Sequence, residues 1–523
     1  MQTFVVCVTA FLTVFAAESG ATPVKISGPL IGGSTVQVFQ ISNDSARVAF
    51  IAGKLSDGTL ALYSTPIAGS PVATLSSPPV FGGLPPRISA DSQYVVFLAD
   101  KGCGVYENYS VPLLGGTVTK LSDRLVTGGS VDLPEISADS SRVVFRAYNE
   151  TSRVFELYSV PIGGGQATKL WSPGTAGGVA NIQISADSTT VVFRGATGTS
   201  NVFDLYSVPI LGGTITKISG PLAAGGSVTF NFEISADSAR VIFTADKDTR
   251  NVAEVYCVTL GKGLLTKLSG ALPIGGKVNA GGVAPNSSVV VFLASKDTPN
   301  ATELYSVPIV GGAITKLSGD LVSGGGVVGA TATADSARVV FRARKETSNT
   351  TELYGVSMTG GAIVKLSGQL VVGGSVASSI VSTDSSRAVF HAIKDAPNVY
   401  EIYGVPVTGG AVIKLSGSLV AGGQAGGPAI SADSSRVVFL ADKDIDEVTE
   451  LYSVPITDGG SILDVDGDGQ ILPTTDLLLV TRFRLGLRGA ALIDGAFNPL
   501  GSRTSIRAIE DHLNRLLETP KAW

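Results

Sequence analysis

Histidine is almost missing from this chain: 523 residues contain two, His391 and His512. That leaves little material for a Ser/His/Asp triad or a His-ligated zinc site. Cysteine is nearly as scarce, with Cys7, Cys103 and Cys257. Loss of an N-terminal leader would leave Cys103 and Cys257, far apart in the chain, and these read as small, partly buried thiols rather than a disulfide. Charge is sparse as well: charged residues make up 15%, Lys and Arg total 38 against 43 acidic residues, and the net charge is -5. With no polybasic run, nucleic acid is excluded as a favoured partner. Beyond the N-terminus no run reaches about 18 apolar residues, so no membrane span is expected in the mature chain.

Glycine is abundant, at 64 residues, and hydrophobic residues reach 44%, enough for a large core. The N-terminal run FVVCVTAFLTVFAA is too short for a span and has the length of a signal-peptide apolar region. Ser19 and Ala21 place small residues where a signal peptidase reads, so residues 1–21 are expected to be a cleaved leader and the protein secreted or periplasmic. N-x-S/T sequons begin at Asn43, Asn108, Asn149, Asn286, Asn300 and Asn349.

The dominant feature is a repeat. SADS or a near variant recurs with its third residue at Asp44, Asp91, Asp139, Asp187, Asp237, Asn286, Asp335, Asp384 and Asp433, at intervals of 47 to 50 residues. Each copy adds a β-branched run such as VVF, a polar DKD-like loop, ELYSVPI, a Gly-Gly turn and a run such as AITKLSG. Short β-branched and aromatic segments bounded by Gly, Asp, Asn and Ser read as four strands joined by hairpins. Four antiparallel strands in about 49 residues is the content of one propeller blade. The expected fold is therefore all-β: a propeller of nine four-stranded blades over residues 22–457, followed by a small helical module over residues 458–523. The last copy has no KLSG of its own, whereas VKISG at Val24 precedes the first SADS. The N-terminal strand is expected to complete the last blade and close the ring; the competing donor is SILDV after Gly460.

With SADS standing where a Ser-Pro-Asp-Gly-type turn would be, and a Leu-Tyr strand following, the region from Val24 to Ile456 resembles the propeller repeats of the TolB family. The resemblance implies a propeller fold and an extracytoplasmic setting. Related peptidase propellers carry an α/β-hydrolase domain, but this chain has no G-x-S-x-G. The Asp-box pattern of sialidases is absent too, since SADSSRVVF lacks its Gly and Trp.

Recurrence in blade after blade assigns the SADS aspartates a local role as turn formers rather than ligands. The DKD loops at Asp246 to Asp248 and Asp442 to Asp444 read as solvated hairpin tips. Three departures from the consensus, Tyr148, Trp171 and His391, read as packing variation, and no catalytic constellation emerges.

After Gly460 the repeat gives way to LDVDGDGQILPTTDLLLVTRFRLG. Asp464, Asp466 and Asp468 at alternate positions, then Gly469 and the carbonyl of Gln470, match the ligand order of a Ca²⁺ loop, and Asp476 would supply the last carboxylate, one position later than usual. A helix should follow, capped by Thr474 or Thr475, with Leu477, Leu478, Val480 and Phe483 apolar; a second amphipathic helix is expected through Ile506, Ile509, Leu513, Leu516 and Leu517. The acidic pattern resembles half of a type I dockerin, which implies Ca²⁺ as cofactor and a cohesin-like partner.

The leading expectation is an exported, non-catalytic propeller that binds a protein or glycan partner. The alternatives are a secreted glycosidase or lyase using channel carboxylates, and a periplasmic envelope protein acting as TolB-like propellers do.

Overall fold

The computed structural model describes residues 22–456 except 31–33, 54–59, 77–79, 81–83, 101–104, 123–129, 150–152, 175, 199–201 and 299, then 465–466, 474–496 and 505–518. The leader expected over residues 1–21 lies outside them, as do Cys7 and Cys103.

Nine four-stranded antiparallel sheets form the ring. Eight use consecutive strands. The ninth takes its fourth strand from the N-terminal segment Val24–Lys25, which lies against Glu450–Pro455 with Val24 opposite Ser453 and Lys25 opposite Tyr452. The expected closure is therefore realised, extended by Ile26 N–H donating to the Leu451 carbonyl at 2.8 Å. Closure covers the edge that Glu450–Pro455 would otherwise present.

The repeated hydrophobic residues build each blade in the same way. The Phe of VVF on the second strand faces the Tyr of ELY on the third, as in Phe292 opposite Tyr305. All nine such pairs stack, with ring centroids 5.3 to 6.0 Å apart. Offset stacking of this kind adds about 0.5–1.5 kcal/mol per pair beyond burial. Blades then pack on one another through the β-branched faces. At the seam that closes the ring, Ile26, Val438 and Leu451 of the last blade join Val36, Val48 and Phe50 of the first.

The SADS turns do more than turn. In the first blade the Asp44 carboxylate accepts from the Ser42 hydroxyl at 2.5 Å and from the Ala46 amide at 3.0 Å. In blade 6 Asn286 fills the same role, its side-chain carbonyl accepting from the Ser288 amide at 3.0 Å, so the turn needs an oxygen rather than a charge. The fourth residue of the motif is always Ser, always left-handed, with φ between 57° and 62°. Its hydroxyl accepts the backbone N–H of the aspartate in the preceding blade: Asp44 donates to Ser92, Asp91 to Ser140, and so on to Asp384 and Ser434. Asp433 then donates to Ser45 at 2.9 Å, closing a belt of nine bonds. Sequence reading identified the turn but missed the belt, because its bonds connect residues about one repeat apart.

A left-handed non-glycine residue costs about 1–2 kcal/mol, which gives the belt a distinctive signature. Ser238→Ala keeps the strain and loses the bond, so it should destabilise by about 1 kcal/mol. Ser238→Gly loses the bond but relieves the strain and should stay near wild type. Thermal melts of the two variants check the order.

The DKD loops are hairpin tips between second and third strands, as read from the sequence, and the structure adds their partners. Asp246 accepts the Ser227 and Asn251 amides, Lys247 donates to the Pro221 carbonyl, and Asp248 pairs with Lys267 at 3.2 Å. Asp442, Lys443 and Asp444 repeat this arrangement with Gln424, Ser418 and Lys25. Though solvent reaches them, these loops are tied down because each charge meets a backbone group or countercharge that the connection between blades presents.

Among the described residues three helices follow: α1 (Asp476–Arg484), α2 (Ala490–Ile493) and α3 (Ile506–Glu518). Val465, Leu479, Phe483, Leu492, Ile509 and Leu513 form their shared core. Leu479, not singled out from the sequence, is fully buried, whereas Leu477, Leu478 and Val480 are half-buried. Thr475 is the N-cap, but its hydroxyl bonds to the Asp476 carboxylate instead of a backbone amide. The side chains of Leu516 and Leu517 lie outside the described ones. No helix among the described residues is long and apolar enough to cross a membrane.

Candidate functional site

First strands of neighbouring blades meet one another around the ring, which places them on its inner side, and with them the residue two places before each SADS serine or its equivalent. From blade 1 to blade 5 this residue is Gln40, Arg87, Glu135, Gln183 and Glu233; from blade 6 to blade 9 it is Gly282, Thr331, Ile380 and Ala429. The wall is thus split into a polar arc and an arc of mostly small or apolar residues. This position and the residue after VVF both change type from blade to blade, and alignment of the copies at the first of them would have found the polar arc.

The polar side chains strap blades together. Gln40 Oε1 accepts the Ile88 N–H at 2.9 Å; Gln183 accepts the Ile234 N–H at 3.1 Å and donates to the Phe232 carbonyl at 3.0 Å. Arg87 donates to Glu135 at 3.1 Å, and Glu233 Oε2 accepts the Val283 N–H at 3.0 Å. Burial pushes the Glu135 carboxyl above its ordinary range against the pull of Arg87. Burial does the same to Glu233, opposed only by the Val283 amide. Beside Glu233, where the wall turns to Gly281, Gly282, Gly329, Ala330 and Thr331, lies a cavity of about 380 Å³.

A second strap comes from the residue after VVF. Arg146 donates to the Val179 carbonyl, Arg194 to Val228 and Arg342 to Ala377, each on the next blade. His391 takes this position in blade 8, packed against Tyr400 at 4.6 Å; burial holds its pKa below the ordinary value, offset by a backbone bond at Ala425. Trp171 lies 5.2 Å from Phe193 and 5.9 Å from Tyr206 of the next blade, over Gly195. Other copies carry Ala there, and a Cβ at Gly195 would approach the indole to 3.1 Å, so the glycine makes room for the tryptophan. Tyr148 meets Phe155 edge-on at 5.3 Å. All three departures are packing.

Asn108 stands apart from the other sequons. Its sequon lies in the third strand of blade 2, Tyr106–Pro112, where the side chain is fully buried and has no hydrogen-bond partner among the described residues. It therefore offers nothing to a glycosylating enzyme, unlike the exposed Asn43, Asn286, Asn300 and Asn349. Most copies place Leu here. Asn108→Leu should stabilise the chain by about 1–3 kcal/mol, the cost of an unpaired buried amide, measured as a higher unfolding midpoint. Cys257 is buried and free, its thiol pushed up to about 11 by burial.

In the C-terminal loop only Asp466 and Asp476 of the expected calcium ligands are described; Asp464, Asp468 and Gln470 lie outside. Both described carboxylates are fully buried. Asp476 Oδ1 reaches back from the start of α1 to accept the Val465 N–H at 2.5 Å and the Asp466 N–H at 3.3 Å. Its place one residue past the usual final ligand is thus no obstacle to meeting the loop. Among the described residues no group of three or more candidate metal ligands comes together.

No family model matches the chain, and no curated protein matches it. Solved structures do. A eukaryotic initiation factor aligns at 10% identity over 75% of this chain and 90% of its own, with a TM-score of 0.51. A prolyl endopeptidase aligns at 13% identity with a TM-score of 0.46, over 79% of this chain, which spans only 55% of the endopeptidase. The putative TolB of Agrobacterium tumefaciens aligns at 16% identity over 46% of this chain and 81% of its own, with a TM-score of 0.30. At these identities the likeness is one of fold, the β-propeller. The dockerin resemblance finds no match among them.

Proposed function

We propose that this chain is an exported, non-catalytic binding propeller that recognises a protein or glycan partner at the inner wall of its ring. The observation that carries the reading is the division of labour among its charges. The SADS aspartates hold turns, the DKD loops hold the connections, and the third-strand glutamates are buried in ion pairs such as Lys316 with Glu303 at 2.5 Å. The inner wall changes from polar to small or apolar residues around the ring, and variable positions on a rigid scaffold suit recognition. The test is retention of partners or glycans from the secreted fraction on the immobilised full chain, beside a Thr331→Trp variant that fills the cavity. Retention by the wild type and its loss in the variant is expected; equal retention by both removes the wall from the account.

A second reading, a secreted carbohydrate-active enzyme, draws on Glu135 and Glu233, two inner-wall carboxyls held above the ordinary range, as a general acid must be. Turnover of a polysaccharide panel, abolished by Glu233→Gln, would favour it. Action as a TolB-like envelope protein rests on the sequence resemblance alone and would show as a protein partner retained from envelope fractions.

We further propose that the loop at Asp464, Asp466, Asp468, Gln470 and Asp476 binds Ca²⁺ and stabilises the helical module, leaving a cohesin-like partner as one use of its surface. Ca²⁺ added to the full chain should release heat and protect amides of α1 from exchange, and Asp466→Asn should remove both effects. Absence of heat in the wild type takes calcium out of the reading.

A further inference from the structure

Glu135 and Glu233 occupy the same place in blades 3 and 5, yet they are satisfied differently. Glu135 receives the guanidinium of Arg87 from the preceding blade at 3.1 Å. The residue corresponding to Arg87 for Glu233 is Gln183, which is neutral and whose amide is committed to Phe232 and Ile234. Glu233 accordingly has one oxygen on the Val283 amide and no cation among the described residues. A half-buried carboxylate without a countercharge is costly, because desolvation penalises the charge and no neighbour returns the energy.

The space a cation would need is present. Glu233 borders the cavity of about 380 Å³, within the range of small-ligand sites. Its other walls carry no ionisable side chain: Gly281, Gly282, Ala330 and Thr331 face it, with Val328 at its margin. Arg342 lies behind Gly329, and its guanidinium is already donated to the Ala377 carbonyl of the next blade. Glycine opens the wall here: a Cβ at Gly282 would come within 3.1 Å of Glu233 Oε2. Gly282 thus makes room for Oε2 over the Val283 amide, and the rest of the carboxylate borders the cavity.

We infer that this cavity receives a guanidinium group from outside the chain, set against Glu233 as Arg87 is set against Glu135. The inference rests on the binding role of the inner wall and specifies the chemistry recognised there. A planar fork with paired donors matches a carboxylate better than an ammonium does. The group can arrive on an arginine side chain of a peptide or on a small free molecule, and the two sources are separable by experiment.

Calorimetry of the full chain with agmatine, with end-blocked Gly-Arg-Gly and with end-blocked Gly-citrulline-Gly tests it. The guanidinium probes should bind, and citrulline, of nearly the same shape but neutral, at least ~10-fold more weakly, as expected for loss of a charge-assisted contact. Glu233→Gln keeps an oxygen for the Val283 amide, so its melting temperature should hold while affinity falls at least ~10-fold. Gln183→Arg supplies the missing guanidinium from within and should compete the probe away. Tighter binding of the tripeptide than of agmatine identifies a peptide source, and the reverse a small molecule. Equal binding of arginine and citrulline probes, unchanged affinity in Glu233→Gln, or no binding of any guanidinium probe overturns the inference. If the probes fail while a Thr331→Trp-sensitive partner is still retained, the binding reading survives and only its guanidinium chemistry falls.

Discussion

Removing residues 22–28 should open the ring. The segment contributes Val24–Lys25 as the outer strand of the last blade, the Ile26 side chain to the seam, and the Lys25 ammonium to Glu450. Ile26 is 1% exposed, and truncation of such a residue to alanine alone costs about 2–5 kcal/mol. Glu450, with its side chain 6% exposed, would lose its cation, and breaking a buried pair from one side costs about 3–5 kcal/mol. The strand Glu450–Pro455 would become a free edge able to pair with another molecule. The expected result is a lower melting transition, amide exchange that rises first in blades 9 and 1, and concentration-dependent association. Unchanged exchange at Glu450–Pro455 would show that the closure contributes nothing.

Replacing Glu303 by alanine is the second large effect. Seven third-strand positions carry glutamate bonded to the tyrosine two residues on, as Glu303 accepts from Tyr305 at 2.6 Å. Glu303 is 2% exposed and also accepts from Lys316, the Asp297 and Thr298 amides and the Thr298 hydroxyl. Glu303→Ala should cost about 3–5 kcal/mol, because it leaves a cation and several donors unpaired at once. Blade 1 shows the remedy, since it carries Ala61 and Thr74 where other blades carry the acid and the lysine. Glu303→Ala with Lys316→Thr should therefore recover part of the loss, and a double-mutant cycle measures the coupling.

The same carboxylate sets a pH dependence. Burial opposes its charge, but Lys316 and Tyr305 outweigh burial and hold its pKa below the ordinary value. Its contribution is fully present above the unfolded value of about 4.3 and is lost as pH falls through the lowered folded value. The turn aspartates Asp139, Asp187 and Asp335, held low first by the hydroxyls of Ser137, Ser185 and Thr333, act in the same direction. Melting temperature should thus drop steeply below pH 4, and less so in Glu303→Gln.

Most of the architecture was legible because it repeats. A motif every 47 to 50 residues disclosed the blades, and the displaced VKISG disclosed the closure. The inner wall was less legible, since Gln183 and Glu233 look like ordinary strand residues until the ring places each beside its neighbour. The sequon at Asn108 gave no sign of burial, because a sequon is a local pattern whereas burial comes from blades packing on either side. The partners of the DKD loops were not legible, since several sit 18 to 26 residues away and Lys25 lies at the other end of the propeller.

The serine belt bears on how the number nine is specified. Each link joins only adjacent blades, and the link from Asp433 to Ser45 has the same form as the other eight. No single contact therefore counts blades; the total is fixed by the wedge angle at which neighbouring sheets pack, summed around a full turn. Excising one whole repeat would leave every remaining link chemically intact while asking each seam to widen by a small, shared increment. Ring size and inner-wall chemistry are thus separable traits, the first held in the packing angle and the second in the identity of one residue per blade.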